Sequence, residues 1–496
     1  MHPSKAIIIG SGVAGMAAAI RLTLKGFAVS VFEKNAYPGG KLYAFEKGGF
    51  QFDAGPSLFT QPENLQELFE LAGEPIEKYF TFKTVDIACK YFFENGKTVN
   101  AYSNPALFAT QIKEQLGENP ENLTNYLERS GQLYDKIGTL FLDHSLHRNK
   151  TWRSKNLAKA FFALKFPYLF QTLHKYNSSL FTSPESVQLF DRFATYNGSS
   201  PYKAPAMLSV IPHLEQNHGT FYPHGGMISI TNALYNLAKD KGVQFHFDSP
   251  VQRIIHHEGK VKGVVVNDEN ILAEIVVSNS DAYFTYKNLL SNVAGAKKIS
   301  QQERSSSAII FYWGIKKTFD ELQLHNVFFS QDYEKEFDAI FSTKQLSDDP
   351  TVYINISSKM EDGHAPAGKE NWFVMVNTPC DNDQNWTSIR HQLRKNVISK
   401  LSRILKEDVE ASIETETVLD PLMMQEQTAA FKGSIYGTSS NSKWAAFFRH
   451  SNFSSSIKGL YFCGGSVHPG GGIPLCLKSA KIVSELVTAN AQNPII

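Results

Sequence analysis

Gly10, Gly12 and Gly15 stand between a short β-branched run, Lys5 to Ile9, and an Ala-rich helical stretch from Met16 to Lys25. Strand, tight turn and helix in that order make a phosphate cradle. The first glycine permits the turn, the second admits a pyrophosphate close to the backbone, and the third lets helix and strand touch. Free amides at the helix start, around Val13 and Ala14, attract the phosphates. A second strand, Ala28 to Phe32, runs into Glu33 and Lys34, with Glu33 eighteen residues after Gly15. A carboxylate there accepts both ribose hydroxyls of an adenosine and repels a 2′-phosphate, which disfavours NADP and leaves FAD and NAD.

The next residues choose between these two. Tyr37-Pro38-Gly39-Gly40-Lys41 and then Gly48-Gly49-Phe50-Gln51-Phe52-Asp53-Ala54-Gly55-Pro56-Ser57 lay down glycine-bounded strands where an NAD dehydrogenase normally returns to a crossover helix. Such strands suit a longer cofactor, and FAD is the expectation. Near the other end, Gly459 to Gly465 reads as a buried strand, and Ser466-Val467-His468-Pro469-Gly470-Gly471-Gly472-Ile473-Pro474 leads into a helix with an apolar face from Leu477 to Val487. Glycines entering a helix leave backbone amides and a positive dipole end aimed at whatever lies before them, which suits the negative charge of a reduced flavin.

The two glycine-rich ends resemble those of the carotenoid desaturases of the phytoene desaturase type, flavoproteins of the amine-oxidase-like superfamily. The resemblance is closest to the 1-hydroxycarotenoid 3,4-desaturases, through Gly55-Pro56-Ser57-Leu58-Phe59-Thr60-Gln61-Pro62 and through Leu475-Cys476-Leu477 after Ile473-Pro474. It implies that Gly10, Gly12 and Gly15 hold the FAD pyrophosphate and Glu33 the adenosine ribose. Gly40 and Lys41 then lie beside the phosphates, with lysine where the family more often has arginine, and Val251 reaches the adenine through its backbone. Gly55, Pro56 and Ser57 lie near the flavin, and Gly464, Gly465, Gly472 and Ile473 line its ring.

Such elements require an α/β fold: a doubly wound, Rossmann-like FAD-binding domain with an inserted α+β substrate domain. Cofactor-type segments occupy 1–70, 220–290 and 410–496, and the substrate domain takes 71–219 and 291–409. The length of 496 residues accommodates this, and 49 Lys+Arg against 48 Asp+Glu exclude a nucleic-acid coat and a disordered chain. Four scattered cysteines without a C-x-x-C pair suggest neither metal nor disulfides and fit a reducing cytoplasm. No apolar run is long enough to span a membrane.

From His144 to Pro184 there is no acid, whereas Arg148, Lys150, Arg153, Lys155, Lys159, Lys165 and Lys175 lie among aromatic residues, with Leu157, Phe161, Leu164 and Tyr168 at helical spacing. This segment is expected to dock on an anionic bilayer, making the protein peripherally membrane-associated. A solvated basic face over the core is the alternative.

The expected reaction removes two hydrogens from adjacent carbons of a polyene, hydride going to the flavin, as in 3,4-desaturation of 1′-hydroxy-γ-carotene. With no second Gly-x-Gly-x-x-Gly, electrons must leave to oxygen, a quinone or another acceptor. Glu215, His213 and His224 near the central motif and His468 in the C-terminal loop are the candidate bases. A tertiary hydroxyl on the substrate needs a polar partner that the sequence does not identify. Phytoene desaturation, carotenoid isomerisation, amine oxidation and isoprenoid carriage without catalysis remain the rival readings.

Overall fold

The computed structural model describes residues 3–153, 168, 170–442, 445 and 449–491. Its organising element is a five-stranded, wholly parallel sheet. Strand β1 (Lys5–Ile9) lies at the centre, with β2 (Ala28–Phe32) and then Gln244–His246 on one side, and Ile275–Ser278 and then Leu460–Phe462 on the other. The run Ala6-Ile7-Ile8-Ile9 is apolar throughout because both faces of this sheet are covered. Ala6 and Ile8 point into a helical layer made by helix α1 (Val13–Leu24), Ile228–Asp240 and Ile473–Ala491. Ile7 and Ile9 point the other way, onto a three-stranded antiparallel meander, Val251–His257, Lys260–Val266 and Glu269–Leu272. One face of this doubly wound sheet is therefore covered by helices and the other by valine-rich strands.

A second sheet has seven strands. In spatial order they are Ile413–Leu419, Ser307–Ile315, Glu370–Thr378, Val352–Asn355, His325–Phe328, Ile87–Phe92 and Thr98–Tyr102. All neighbours are antiparallel except His325–Phe328 with Ile87–Phe92. Ser307–Ile315 is buried at every residue, consistent with its central place. One face carries the long helix Trp386–Leu405, and the other looks toward the glycine-rich end of the first sheet. The chain passes between the sheets repeatedly. Ile413–Leu419 pairs with Ser307–Ile315, so on strand pairing the second inserted stretch runs past 409 to 419.

The hairpin β3 (Ala44–Lys47) and β4 (Phe50–Asp53) joins the two units. Asp53, 6% exposed, accepts hydrogen bonds from the backbone N–H groups of Met227 (2.9 Å) and Ile228 (3.1 Å) at the start of helix Ile228–Asp240. Burial raises its pKa to about 6 despite those two bonds. Replacing Asp53 with alanine strands two helix-end donors, so denaturant unfolding of Asp53→Ala is expected to give a loss of about 1–3 kcal/mol.

Candidate functional site

The carboxyl ends of β1, Ile275–Ser278 and Leu460–Phe462 converge, which is where parallel sheets bind ligands. Asn279 ties these ends together. Its N–H donates to Ile9 O (2.8 Å), and its side-chain amide donates to Cys463 O (3.1 Å). Gly15 lies beneath it, where an added Cβ would stand 2.2 Å from Gly10 O, so the close approach of α1 to β1 requires glycine. The second glycine pair is drawn onto the first by Gly39 N–H donating to Ser11 O (3.0 Å). Glu33 is buried, and its Oε2 accepts from Ser11 N (2.8 Å) and Ser11 Oγ (2.9 Å) while Oε1 accepts from Asn35 N (3.0 Å).

A cavity of about 880 Å³ opens above these strand ends. Of the residues expected to hold the cofactor, Gly10, Gly12, Val13, Ala14, Glu33, Lys34, Gly40, Lys41, Gly55, Pro56, Ser57, Val251, Gly464, Gly465, Gly472 and Ile473 line it, while Gly15 packs beneath it. The cavity continues into an apolar chamber walled by Phe141, Leu146, Met207, Leu208, Leu214, Val327 and Phe373. One continuous space therefore has a glycine floor and an oily extension.

Its electrostatics favour an anion. Lys41 Nζ donates to Ile435 O (2.8 Å) and Ser434 O (3.2 Å), and burial lowers its pKa to about 8. Arg449, 2% exposed, donates from Nη1 to Tyr436 O (2.6 Å), yet its Nη2 has no partner among the described residues. Burial and the neighbouring Arg304 charge lower it to about 10. Asp281, the nearby acid, is already paired with Arg304 at 3.0 Å. Gly472 immediately precedes the helix Ile473–Ala491 with φ +107°, and an added Cβ there would meet nothing within 4 Å. An orphaned guanidinium nitrogen, a buried amine and an open glycine cradle at a helix start together fit a negatively charged flavin cofactor.

The proposed bases fare differently. Glu215 lines the cavity, but its carboxylate is held by Arg192 Nη2 (3.3 Å), Gln216 Nε2 (3.3 Å) and the Tyr196 hydroxyl. His468 also lines it, with Nε2 donating to His144 O (2.9 Å), and burial lowers its pKa to about 4. His213 bonds Asn217 Nδ2 through Nδ1 (2.7 Å) and lies outside the cavity lining. The structure does not bring His224 to the cavity: Gly225 and Gly226, both at positive φ, turn that loop outward, and the half-exposed ring faces Glu361 at 3.9 Å.

Asn279, Asp281, Arg192, His325, Tyr353, Tyr436 and Arg449 also line the space and carry no sequence signature. They arrive from strands and loops far apart in the chain. Of the basic aromatic segment, residues 154–167 and Leu169 lie outside the described residues; Trp152 and Phe170 at its edges are 38% and 50% exposed. Among the described residues no helix is long and apolar enough to cross a membrane.

Comparison with known proteins agrees with this geometry. The family model for flavin-containing amine oxidoreductases matches residues 13–488. A 1-hydroxycarotenoid 3,4-desaturase of Flavobacterium sp. (strain P99-3) is 49% identical over 97% of this chain and 99% of its own. A 4,4′-diapolycopene oxygenase of Methylomonas sp. is 32% identical over 98% and 99%. Among solved structures, an oxidoreductase from Methanosarcina mazei superposes with TM-score 0.64 at 16% identity, covering 98% of this chain and 100% of that one. Cyclohexylamine oxidase from Brevibacterium oxydans does so with TM-score 0.63 at 15% identity, covering 99% and 100%; at such identities the likeness is one of fold. With the glycine floor, the cationic wall and these matches in agreement, the chain belongs to the flavin-containing amine oxidoreductase family and is an oxidoreductase.

Proposed function

We propose that the protein is an FAD-dependent carotenoid desaturase that introduces a C=C bond beside the hydroxylated end of an acyclic carotenoid, as in 3,4-desaturation. The observation that carries this reading is the unbroken passage from glycine cradle to apolar chamber, which suits a long hydrocarbon laid against a flavin. The relative at 49% identity, named as such a desaturase, supports the same substrate class.

When bound, FAD supplies the two-electron acceptor for a hydride. The chain does the rest by placement. Gly10, Gly12 and the amides at Val13 and Ala14 receive the pyrophosphate, Glu33 the ribose, and Gly464, Gly465 and Gly472 admit the ring, with Arg449 and the helix start favouring its negative charge. The apolar walls exclude water and hold the polyene extended, so alignment rather than a strong base lowers the barrier. The positive charge left on the carbon skeleton spreads along the polyene, and a proton leaves the neighbouring carbon to form the double bond. That proton and the hydride would together reduce the final acceptor, oxygen to hydrogen peroxide or a membrane quinone to its quinol. Exposed Trp152 and Phe170 belong to the basic segment, 144–184, through which the protein rests on the bilayer.

The test is product mass. Purified, flavin-loaded protein in liposomes containing 1′-hydroxy-γ-carotene is expected to give a product lighter by two hydrogens. A product of unchanged mass identifies an isomerase instead, and a colourless protein that takes up no FAD ends the enzymatic reading.

Lys41 adds a pH signature. In the cofactor-free protein it loses its proton near pH 8, whereas a neighbouring pyrophosphate keeps it charged, so FAD binding takes up a proton above that pH. Affinity measured by flavin fluorescence is expected to fall from pH 8 upward, by as much as about tenfold per pH unit. Lys41→Arg, which stays charged, is expected to flatten the profile.

A further inference from the structure

Polar side chains gather at one place in the otherwise oily wall. His325 opens strand His325–Phe328 and stands opposite Asn355 in the antiparallel ladder; Tyr353, two residues before Asn355, shares its face. The Tyr353 hydroxyl lies 2.7 Å and Asn355 Nδ2 3.2 Å from His325 Nδ1. An amide nitrogen only donates, so Nδ1 accepts and the ring proton stands on Nε2. Tyr353, having given its hydrogen to His325, accepts one from Ser57 Oγ at 2.7 Å.

The row Ser57, Tyr353, His325 thus runs in one direction and ends in an N–H donor. That Nε2 has no partner among the described residues, although His325 is 2% exposed and all three side chains line the cavity. Burial and the nearby Arg192 charge lower the pKa of His325 to about 3, so the ring is neutral. Arg192 Nε is a second donor without a hydrogen-bond partner among the described residues, on a residue of the same wall. A buried donor left unpaired among hydrocarbon is unfavourable until a ligand oxygen reaches it.

Its position suits one substrate class. The row begins at Ser57, two residues beyond Gly55, where an added Cβ would stand 1.8 Å from Lys41 O. The row therefore starts at the loop that abuts the cofactor cradle. In a 1-hydroxy substrate desaturated between C3 and C4, the hydroxyl is only a few bonds from the reacting carbons, so its partner must sit beside the flavin rather than at the distant end of the channel.

Resting on the desaturase reading above, we propose that His325, oriented by Tyr353 and Ser57, forms a hydroxyl-binding subsite, donating from Nε2 to the hydroxyl oxygen of the carotenoid and selecting it over the hydrocarbon that lacks it. Tyr353 and Ser57 are positioning residues. The neutral ring binds the alcohol without protonating it, which avoids loss of water from a tertiary centre.

The experiment compares 1′-hydroxy-γ-carotene with γ-carotene in liposomes, using flavin-loaded wild type, His325→Phe, His325→Gln and Tyr353→Phe, with flavin content recorded for each. Wild type is expected to favour the hydroxylated substrate in kcat/KM by about a hundredfold or more. His325→Phe is expected to reduce that ratio at least about tenfold, the loss falling chiefly on the hydroxylated substrate. His325→Gln, which retains a donor, recovers part of the ratio, and Tyr353→Phe loses part of it. An unchanged ratio in flavin-loaded His325→Phe, or equal use of both substrates by wild type, overturns the proposal. If His325→Phe does not fold, an unchanged ratio in both remaining variants does so. Should wild type convert neither carotenoid, the desaturase reading has failed separately. The relative dissociation constants of the two carotenoids, read by quenching of flavin fluorescence, then decide: a hydroxyl preference that His325→Gln keeps and Tyr353→Phe weakens upholds the subsite, and no preference removes it.

Discussion

Valine in place of Gly15 is expected to yield a protein that purifies without flavin and melts far below the wild type. The added Cβ would stand 2.2 Å from Gly10 O and 3.0 Å from Asn279 Oδ1, and two of the bulkier side chain's carbons reach further still. Neither neighbour can retreat, because β1 is the central strand and Asn279 is tied to both Ile9 and Cys463. Overpacking against backbone at this point belongs with the largest single-residue effects, on the order of 4 kcal/mol or more. The ratio of visible flavin absorbance to protein, together with a thermal melt, reads both losses. Gly73→Ala is the informative contrast. Unlike Gly15, Gly73 has positive φ, at the end of helix Glu63–Ala72, and an added Cβ there meets nothing within 4 Å. It is expected to cost about 1 kcal/mol and to leave the flavin in place.

Asp281→Ala carries the second large effect. Asp281 and Arg304 form a pair whose side chains are 7% and 6% exposed, in a region that also holds Lys41 and Arg449. Removing the carboxylate leaves buried cations facing one another, a loss of about 3–5 kcal/mol. The same carboxylate accepts from Tyr283 N–H at 2.8 Å, so the start of the next helix frays as well. Thermal unfolding of the cofactor-free protein should show the deficit, and excess FAD should narrow it by binding only the native state. Asp281→Leu combined with Arg304→Met, which removes both charges, is expected to recover most of the loss. A double variant no better than Asp281→Ala would show that the pair acts through the helix cap alone.

Local pattern made the nucleotide half of this protein legible. Lys5 to Ile9 and Ala28 to Phe32 are strands over just those residues, because an isoleucine run and alternating valines leave little choice. The helix begins at Val13, three residues before the sequence suggests, since Met16 N–H already donates a helical hydrogen bond to Gly12 O. The ends of the chain announced their partnership through glycines that only a close ligand or a close backbone explains. The substrate wall was not legible. His325, Tyr353 and Ser57 meet across more than two hundred residues of sequence, through ladder pairing that no local period encodes. Glu215 stood out as a carboxylate beside a motif, but its engagement by Arg192, Tyr196 and Gln216 depends on packing between separate helical turns. Arg449 follows no spacing rule; only burial reveals an arginine left with an unpartnered nitrogen.

The parallel sheet is completed by its last-made strand, Leu460–Phe462, and the helical layer by Ile473–Ala491, which packs on α1. During synthesis, β1 and α1 leave the ribosome hundreds of residues ahead of the segments that cover them. The nascent chain must therefore carry its sticky, unfinished edge until Leu460–Phe462 and Ile473–Ala491 have been made. The cavity lined by both Gly10 and Gly472 is consequently complete only once those late segments have emerged. Protein made faster than flavin is supplied therefore lacks the stabilisation that binding gives the native state and is expected to be cleaved more readily by proteases.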